Sequence, residues 1–165
     1  MDRFGHRIQA AKGTILKMPR KAKKNRRYIN LPSRKGPLPF SDAVLIGDTL
    51  YLSGRIGLDP ETGEVPDDME VELRLLLDGF DAVLKQAGMN MDDLVWVQVY
   101  APDVSLWERF NVAYLKRFSK ELPARAFLGS GPLFKGGRFE LMGIAVKREK
   151  ALKRSVRRKT ARRKR

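Results

Sequence analysis

The 165 residues suit one domain built on one core, and 34 Lys+Arg against 19 Asp+Glu give a formal charge of +15. An apolar content of 42% excludes a wholly disordered chain, and no apolar run approaches the ~20 residues that a membrane-spanning helix needs. With no cysteine and only His6 as histidine, disulfides, thiolate zinc sites, Cys nucleophiles, Ser-His-Asp catalysis and a His-ligated metal centre in the core are all excluded.

The charge is unevenly spread. Residues 1–35 hold 12 Lys+Arg and one Asp, residues 147–165 hold 12 Lys+Arg and one Glu, and residues 36–146 hold 10 basic and 17 acidic residues. The middle is therefore net negative, and inferences from the total charge attach to the ends. The expected organisation is a basic N-terminal arm over 1–35, a globular domain over 36–147 and a basic C-terminal tail over 148–165. Met18 offers an alternative start that leaves the core untouched. The acid-poor beginning faintly resembles a transit peptide, but it lacks the Ser enrichment and no apolar stretch with a cleavage site follows, so the expectation is a soluble, cytoplasmic protein.

Order is expected to begin near Phe40, after the breakers Pro32, Gly36, Pro37 and Pro39. Ala43–Ile46 and Thr49–Ser53 flank Gly47-Asp48 and predict an antiparallel hairpin, and Asp59-Pro60-Glu61-Thr62-Gly63 predicts a turn. From Met69, Leu73, Leu76, Leu77, Phe80, Val83, Leu84 and Ala87 repeat at helical spacing until Gly88. Leu94–Tyr100 is apolar on both faces and predicts a central strand. Ser105-Leu106-Trp107-Glu108 reads as a capping box opening a second helix whose buried stripe would be Trp107, Phe110, Tyr114 and Phe118. Ala124–Leu128 and Arg138–Val146 predict two further strands around the Gly-rich turn 129–137. The resulting α+β order is β-β-α-β-α-β-β, with helices enough for one sheet face only. The uncovered face predicts oligomerisation, most simply a closed cyclic assembly.

Gly36-Pro37, Phe40-Ser41-Asp42-Ala43-Val44, Tyr51-Leu52-Ser53-Gly54, Asp59–Val65, Asn111-Val112-Ala113-Tyr114, Pro123-Ala124-Arg125 and Phe139-Glu140 occur in an order and spacing that resembles the Rid (reactive intermediate deaminase, RidA-like) family over roughly residues 36–147. The resemblance implies a chorismate-mutase-like fold and a homotrimer whose sheets face inward, with a ligand cleft at each subunit interface. It also implies hydrolysis of 2-imino and 2-enamino acids to 2-keto acids and ammonia, without metal or organic cofactor.

A planar guanidinium suits a substrate carboxylate, and Arg125 matches the family's carboxylate-binding arginine; from the sequence alone a structural ion pair is the alternative. Glu140 matches the residue that positions the attacking water, a role for which a carboxylate can hold water and accept its proton, while an exposed or paired side chain is the alternative. Gly54 and Ser53 read either as a close backbone approach to ligand with a hydroxyl beside it, or as a strand end. Asn111 matches a cleft-lining Asn or is an ordinary polar helix position.

Three positions depart from the family pattern. Phe40 stands where a Tyr is usual, Arg55 replaces a common Gln and suggests a second arginine at the cleft, and Phe127 occupies a site that often holds a small or sulfur-bearing residue. They bear on substrate size and turnover. Two other classes of function stay open: a trimer that binds small carboxylates without turnover, and a nucleic-acid-associated protein, ribonuclease- or translation-inhibitor-like. In the latter the basic ends make non-specific phosphate contacts, since aromatics for base stacking are nearly absent from them.

Overall fold

Strand register sorts the side chains of this protein onto two unequal faces. The computed structural model describes residues 25–34 and 36–148. The basic segments 1–24 and 149–165 lie outside the described residues. Six strands, β1 (Arg26–Ile29), β2 (Ala43–Ile46), β3 (Thr49–Ile56), β4 (Leu94–Ala101), β5 (Ala124–Gly129) and β6 (Glu140–Val146), form one sheet in the order β1-β2-β3-β6-β4-β5. Only β4 and β5 run parallel, joined through the crossover helix α2 (Trp107–Leu115).

One row of paired residues, Ile29, Ala43, Leu52, Gly143, Val97 and Arg125, crosses all six strands on the face covered by helix. There α1 (Met69–Gln86) buries Leu73, Leu76, Leu77 and Phe80 at 0–1% exposure, each contributing roughly 1.5–3 kcal/mol. Asp68 caps its N-terminus by accepting from the Glu70 and Val71 amides, and Gly88 at φ 71 ends it. A Cβ on Gly143 would stand 2.8 Å from the Trp96 carbonyl oxygen, so the strand pair closes only over glycine there.

The next row, Tyr28, Val44, Tyr51, Ile144 and Trp96, lies on the opposite face. Tyr28 and Tyr51 are 62% and 48% exposed, and no described helix covers them. The expected deficit of cover is thus present among the described residues.

Several expectations are corrected. Order does not wait for Phe40: Arg26–Ile29 pairs with Ala43–Ile46 and extends the hairpin to three strands, its end tied in by the Asp42 carboxylate accepting from the Leu31 amide at 2.7 Å. The capping box at Ser105 does not form. Asp103 instead caps a short 3-10 turn at Val104–Leu106 by accepting from the Ser105 amide, and α2 begins at Trp107 without a side-chain cap. Consequently Trp107, in the first turn, stays exposed, whereas Phe110 and Tyr114 are buried and Phe118 packs partly against them. The last strand starts at Glu140, because Arg138 is turned toward α1. Its guanidinium donates to Glu72 Oε2 at 2.7 Å, with Glu72 fully buried, and to the Pro66 and Asp67 carbonyls. No described helix is long and apolar enough to cross a membrane.

Candidate active site

Arg125 projects from the edge strand β5 toward α2. Its Nη2 donates to Asn111 Oδ1 at 2.8 Å, and its guanidinium carbon lies 4.7 Å from the centre of the Tyr114 ring and 5.8 Å from that of Phe110. Tyr114 and Phe110 stack at 5.4 Å one helical turn apart, so α2 offers Arg125 an aromatic shelf with Asn111 beside it. Among the described residues no carboxylate pairs with Arg125, which argues against the ion-pair alternative. Burial pushes the Tyr114 phenol up to about 12, with the Arg125 charge opposing, and its hydroxyl has no hydrogen-bond partner among the described residues. Phe127, two residues on, meets Phe110 edge-on at 5.7 Å and belongs to this cluster.

Glu140 leaves β6 on the other face, in register with Ile56 and Tyr100. It borders a cavity of about 490 Å³ together with Leu38, Pro39, Phe40, Gly54, Ile56 and Phe134. A bulge in β3 between Leu52 and Arg55 brings the Gly54 backbone against the carboxylate. A Cβ there would lie 2.0 Å from Glu140 Oε1, so glycine is required by close approach and not merely by a strand ending. Ser53 lies in the same bulge, its hydroxyl donating to the Ser41 carbonyl at 2.7 Å.

Arg55 is not a free second arginine. Its Nη2 pairs with Asp42 Oδ1 at 3.1 Å and its side chain passes under Gly79, where a Cβ would stand 3.0 Å from Nη1. Burial pulls its pKa below the ordinary value, with Asp42 opposing and Arg34 adding to the fall. Its charge is already matched.

The sequence-predicted residues therefore fall into two groups. Glu140, Gly54 and Phe40 line the cavity, whereas Arg125, Asn111 and Phe127 gather at the β5 edge under α2. Phe134 and the Asp42–Arg55 pair were missed. Phe134 left one signal, an aromatic ring inside an otherwise Gly-rich turn.

Residues 34–147 match the family model described as endoribonuclease L-PSP. The chain belongs to this family, which includes the Rid proteins. It is 37% identical over 109 residues to the 2-iminobutanoate/2-iminopropanoate deaminase of Bos taurus, covering 66% of this chain and 80% of that one. The human protein of the same name is 33% identical over 123 residues, covering 73% and 90%. RidA from an Antarctic Psychrobacter superposes with a TM-score of 0.68 at 29% identity, covering 73% of this chain and 99% of that one. TdcF of E. coli with bound serine gives 0.68 at 27%, covering 74% and 100%. The Rid α+β fold is thereby shown, and deaminase activity is supported at the level of the family.

Proposed function

We propose that the protein hydrolyses 2-imino and 2-enamino acids to 2-keto acids and ammonia at a site completed by a second copy of the chain within a homotrimer. One observation carries this reading: Arg125 and Glu140, each without an ionic partner among the described residues, leave the sheet on opposite faces. One copy then supplies the carboxylate clamp, held by Asn111 and the Tyr114 face, and its neighbour supplies Glu140 in the cavity. The uncovered face that carries Tyr51 and Trp96 gives the copies an apolar surface to share.

The chemistry needs only these groups. Arg125 binds the substrate carboxylate and fixes the C=N carbon. Glu140 accepts a proton from water as the water oxygen bonds to that carbon and the C=N double bond opens, and it returns the proton to nitrogen; it then takes the hydroxyl proton of the resulting carbinolamine and passes it to the departing nitrogen. Ammonia leaves as the C–N bond breaks and the C=O bond forms.

The test is keto-acid and ammonia release from 2-iminopropanoate and 2-iminobutanoate generated in situ by an amino-acid oxidase. Acceleration that falls at least about 100-fold in Arg125→Ala is expected, since the clamp sets both binding and orientation. No acceleration over the uncatalysed rate, with 2-keto acids still bound, would assign the fold to a carboxylate-binding trimer.

A second reading concerns the basic ends. Arg26, Ile46, Thr49 and Val146 form one row across the sheet, so segments 1–24 and 149–165 attach to the same end of the domain. In sequence those segments add 18 Lys+Arg against two acidic residues to Arg26, Lys147 and Arg148, of which Arg148 already lies 3.6 Å from Asp93 Oδ1. This favours phosphate-backbone contact with nucleic acid. Binding of the full chain to an unstructured RNA should weaken steeply between 50 and 200 mM salt; absent or salt-insensitive binding would remove this reading.

A further inference from the structure

The cavity beside Glu140 carries information about which imino acid is used. Its wall is apolar: Leu38, Pro39, Phe40, Ile56, Leu58 and Phe134. Besides Glu140, its charged lining groups are Asp42 and Arg55, which already bond to each other at 3.1 Å. Asp42 also accepts from the Leu31 amide at 2.7 Å. With Asp42 and Arg55 neutralising each other, the lining beyond Glu140 offers a charged substituent no unmatched opposite charge to offset the water it would lose. The volume, about 490 Å³, has room for more than ten waters at ~30 Å³ each, far beyond the methyl group of 2-iminopropanoate.

Phe134 is placed for this purpose by its loop. The ring is 72% exposed, so the core does not hold it. Lys135, the next residue, takes φ 54, the only positive φ of a non-glycine among the described residues. Its Nζ donates to the Gly63 carbonyl and to Glu64 Oε1, both at 2.6 Å, and the Gly137 amide donates back to the Phe134 carbonyl at 3.2 Å. The loop is thus pinned to the turn at Asp59–Gly63, and an aromatic ring is held at the cavity wall by backbone geometry and an ion pair.

We infer that the cavity receives the substrate's own side chain, and that Phe134 makes the protein selective for 2-imino acids with branched aliphatic or aromatic side chains. This rests on the deaminase reading, whose substrate class it narrows. Burying such a side chain against Phe134 and Leu38 removes apolar surface from water on both partners, a gain that a methyl group scarcely realises.

The experiment compares kcat/KM for imines generated from leucine and phenylalanine with that for the imine from alanine, in the native chain and in Phe134→Ala. The native chain should favour the larger imines by at least tenfold, and the substitution should cut that ratio at least tenfold while leaving the thermal midpoint within about two degrees, since the ring is outside the core. A native preference for the alanine-derived imine, or a ratio unchanged in Phe134→Ala, overturns the inference while leaving the deaminase reading intact. Should no imine be hydrolysed, the deaminase reading fails, and calorimetric binding of 4-methyl-2-oxopentanoate against pyruvate decides the selectivity: tighter pyruvate binding overturns it, and tighter binding of the larger acid lost in Phe134→Ala upholds it.

Discussion

Arg125 and Glu140 stand on opposite faces of one sheet. Arg125 is registered with Val97 on the helix-covered side, and Glu140 with Tyr100 on the uncovered side. Since alternate residues of a strand point oppositely, no side-chain rotation within one chain brings the two onto one small ligand.

If the uncovered face joins copies, light scattering will give the mass of three chains, each of 18.8 kDa. Tyr51→Glu with Trp96→Glu places charge in the middle of that face. The double variant should run as a single chain and lose imine hydrolysis together with assembly. A native protein that is monomeric and active would sink the shared site.

Gly54→Ala is expected to keep the fold and impair the reaction. The new methyl would stand 2.0 Å from Glu140 Oε1, and the carboxylate must swing away. Displacing a catalytic group by about 1 Å can cost on the order of 100-fold, so kcat should fall by that amount. Far-ultraviolet circular dichroism should match the parent; unchanged kcat would contradict the placement of Glu140 beside Gly54.

Glu72→Ala should destabilise. The carboxylate is fully buried and accepts both from Arg138 Nη1 at 2.7 Å and from the Arg138 amide at 2.7 Å. Removing it leaves the Arg138 amide without its acceptor and takes the carboxylate from a guanidinium that keeps the Pro66 and Asp67 carbonyls and partial exposure to water, at about 1–3 kcal/mol. Denaturant unfolding measures this directly, and a loss below 1 kcal/mol would show that water or Pro66 and Asp67 compensate.

Tyr114 gives a pH signature. Its phenol is pushed up to about 12 by burial, whereas an unfolded tyrosine titrates near 10. Below pH 10 both states are protonated and the group is silent. Between pH 10 and 12 the unfolded chain releases its proton first, so native stability falls as pH rises, by up to about 2–3 kcal/mol. Tyr114→Phe should lose this part of the alkaline decline. At pH 7 the variant should be neutral or slightly more stable, because the buried hydroxyl has no partner among the described residues to lose. An identical alkaline limb in both proteins would contradict the assignment.

Much of the fold was legible from local rules. The Gly47-Asp48 hairpin, the apolar period from Met69 to Gly88 and the strand at Leu94 depend on neighbours within a few residues, and each formed where the periodicity put it. Local reading failed where a distant partner decided. Arg26–Ile29 looks like part of a basic arm until β2 supplies its ladder, and Arg138 reads as strand until buried Glu72 claims it. Ser105 has the letters of a cap, but Asp103 arrives first.

The sequence by itself determined the chemistry within reach: no thiol, one histidine in the basic N-terminal stretch, and a motif set that marked Arg125, Glu140, Gly54 and Asn111. Only the tertiary structure decided how these divide. Register across six strands set Arg125 with Asn111 on one face and Glu140 with Gly54 on the other, paired Arg55 with Asp42, and held Phe134 at the cavity wall. Spacing along a chain fixes which face of its own strand a residue takes, but the matching of one strand to the next is a long-range choice made by the packed core.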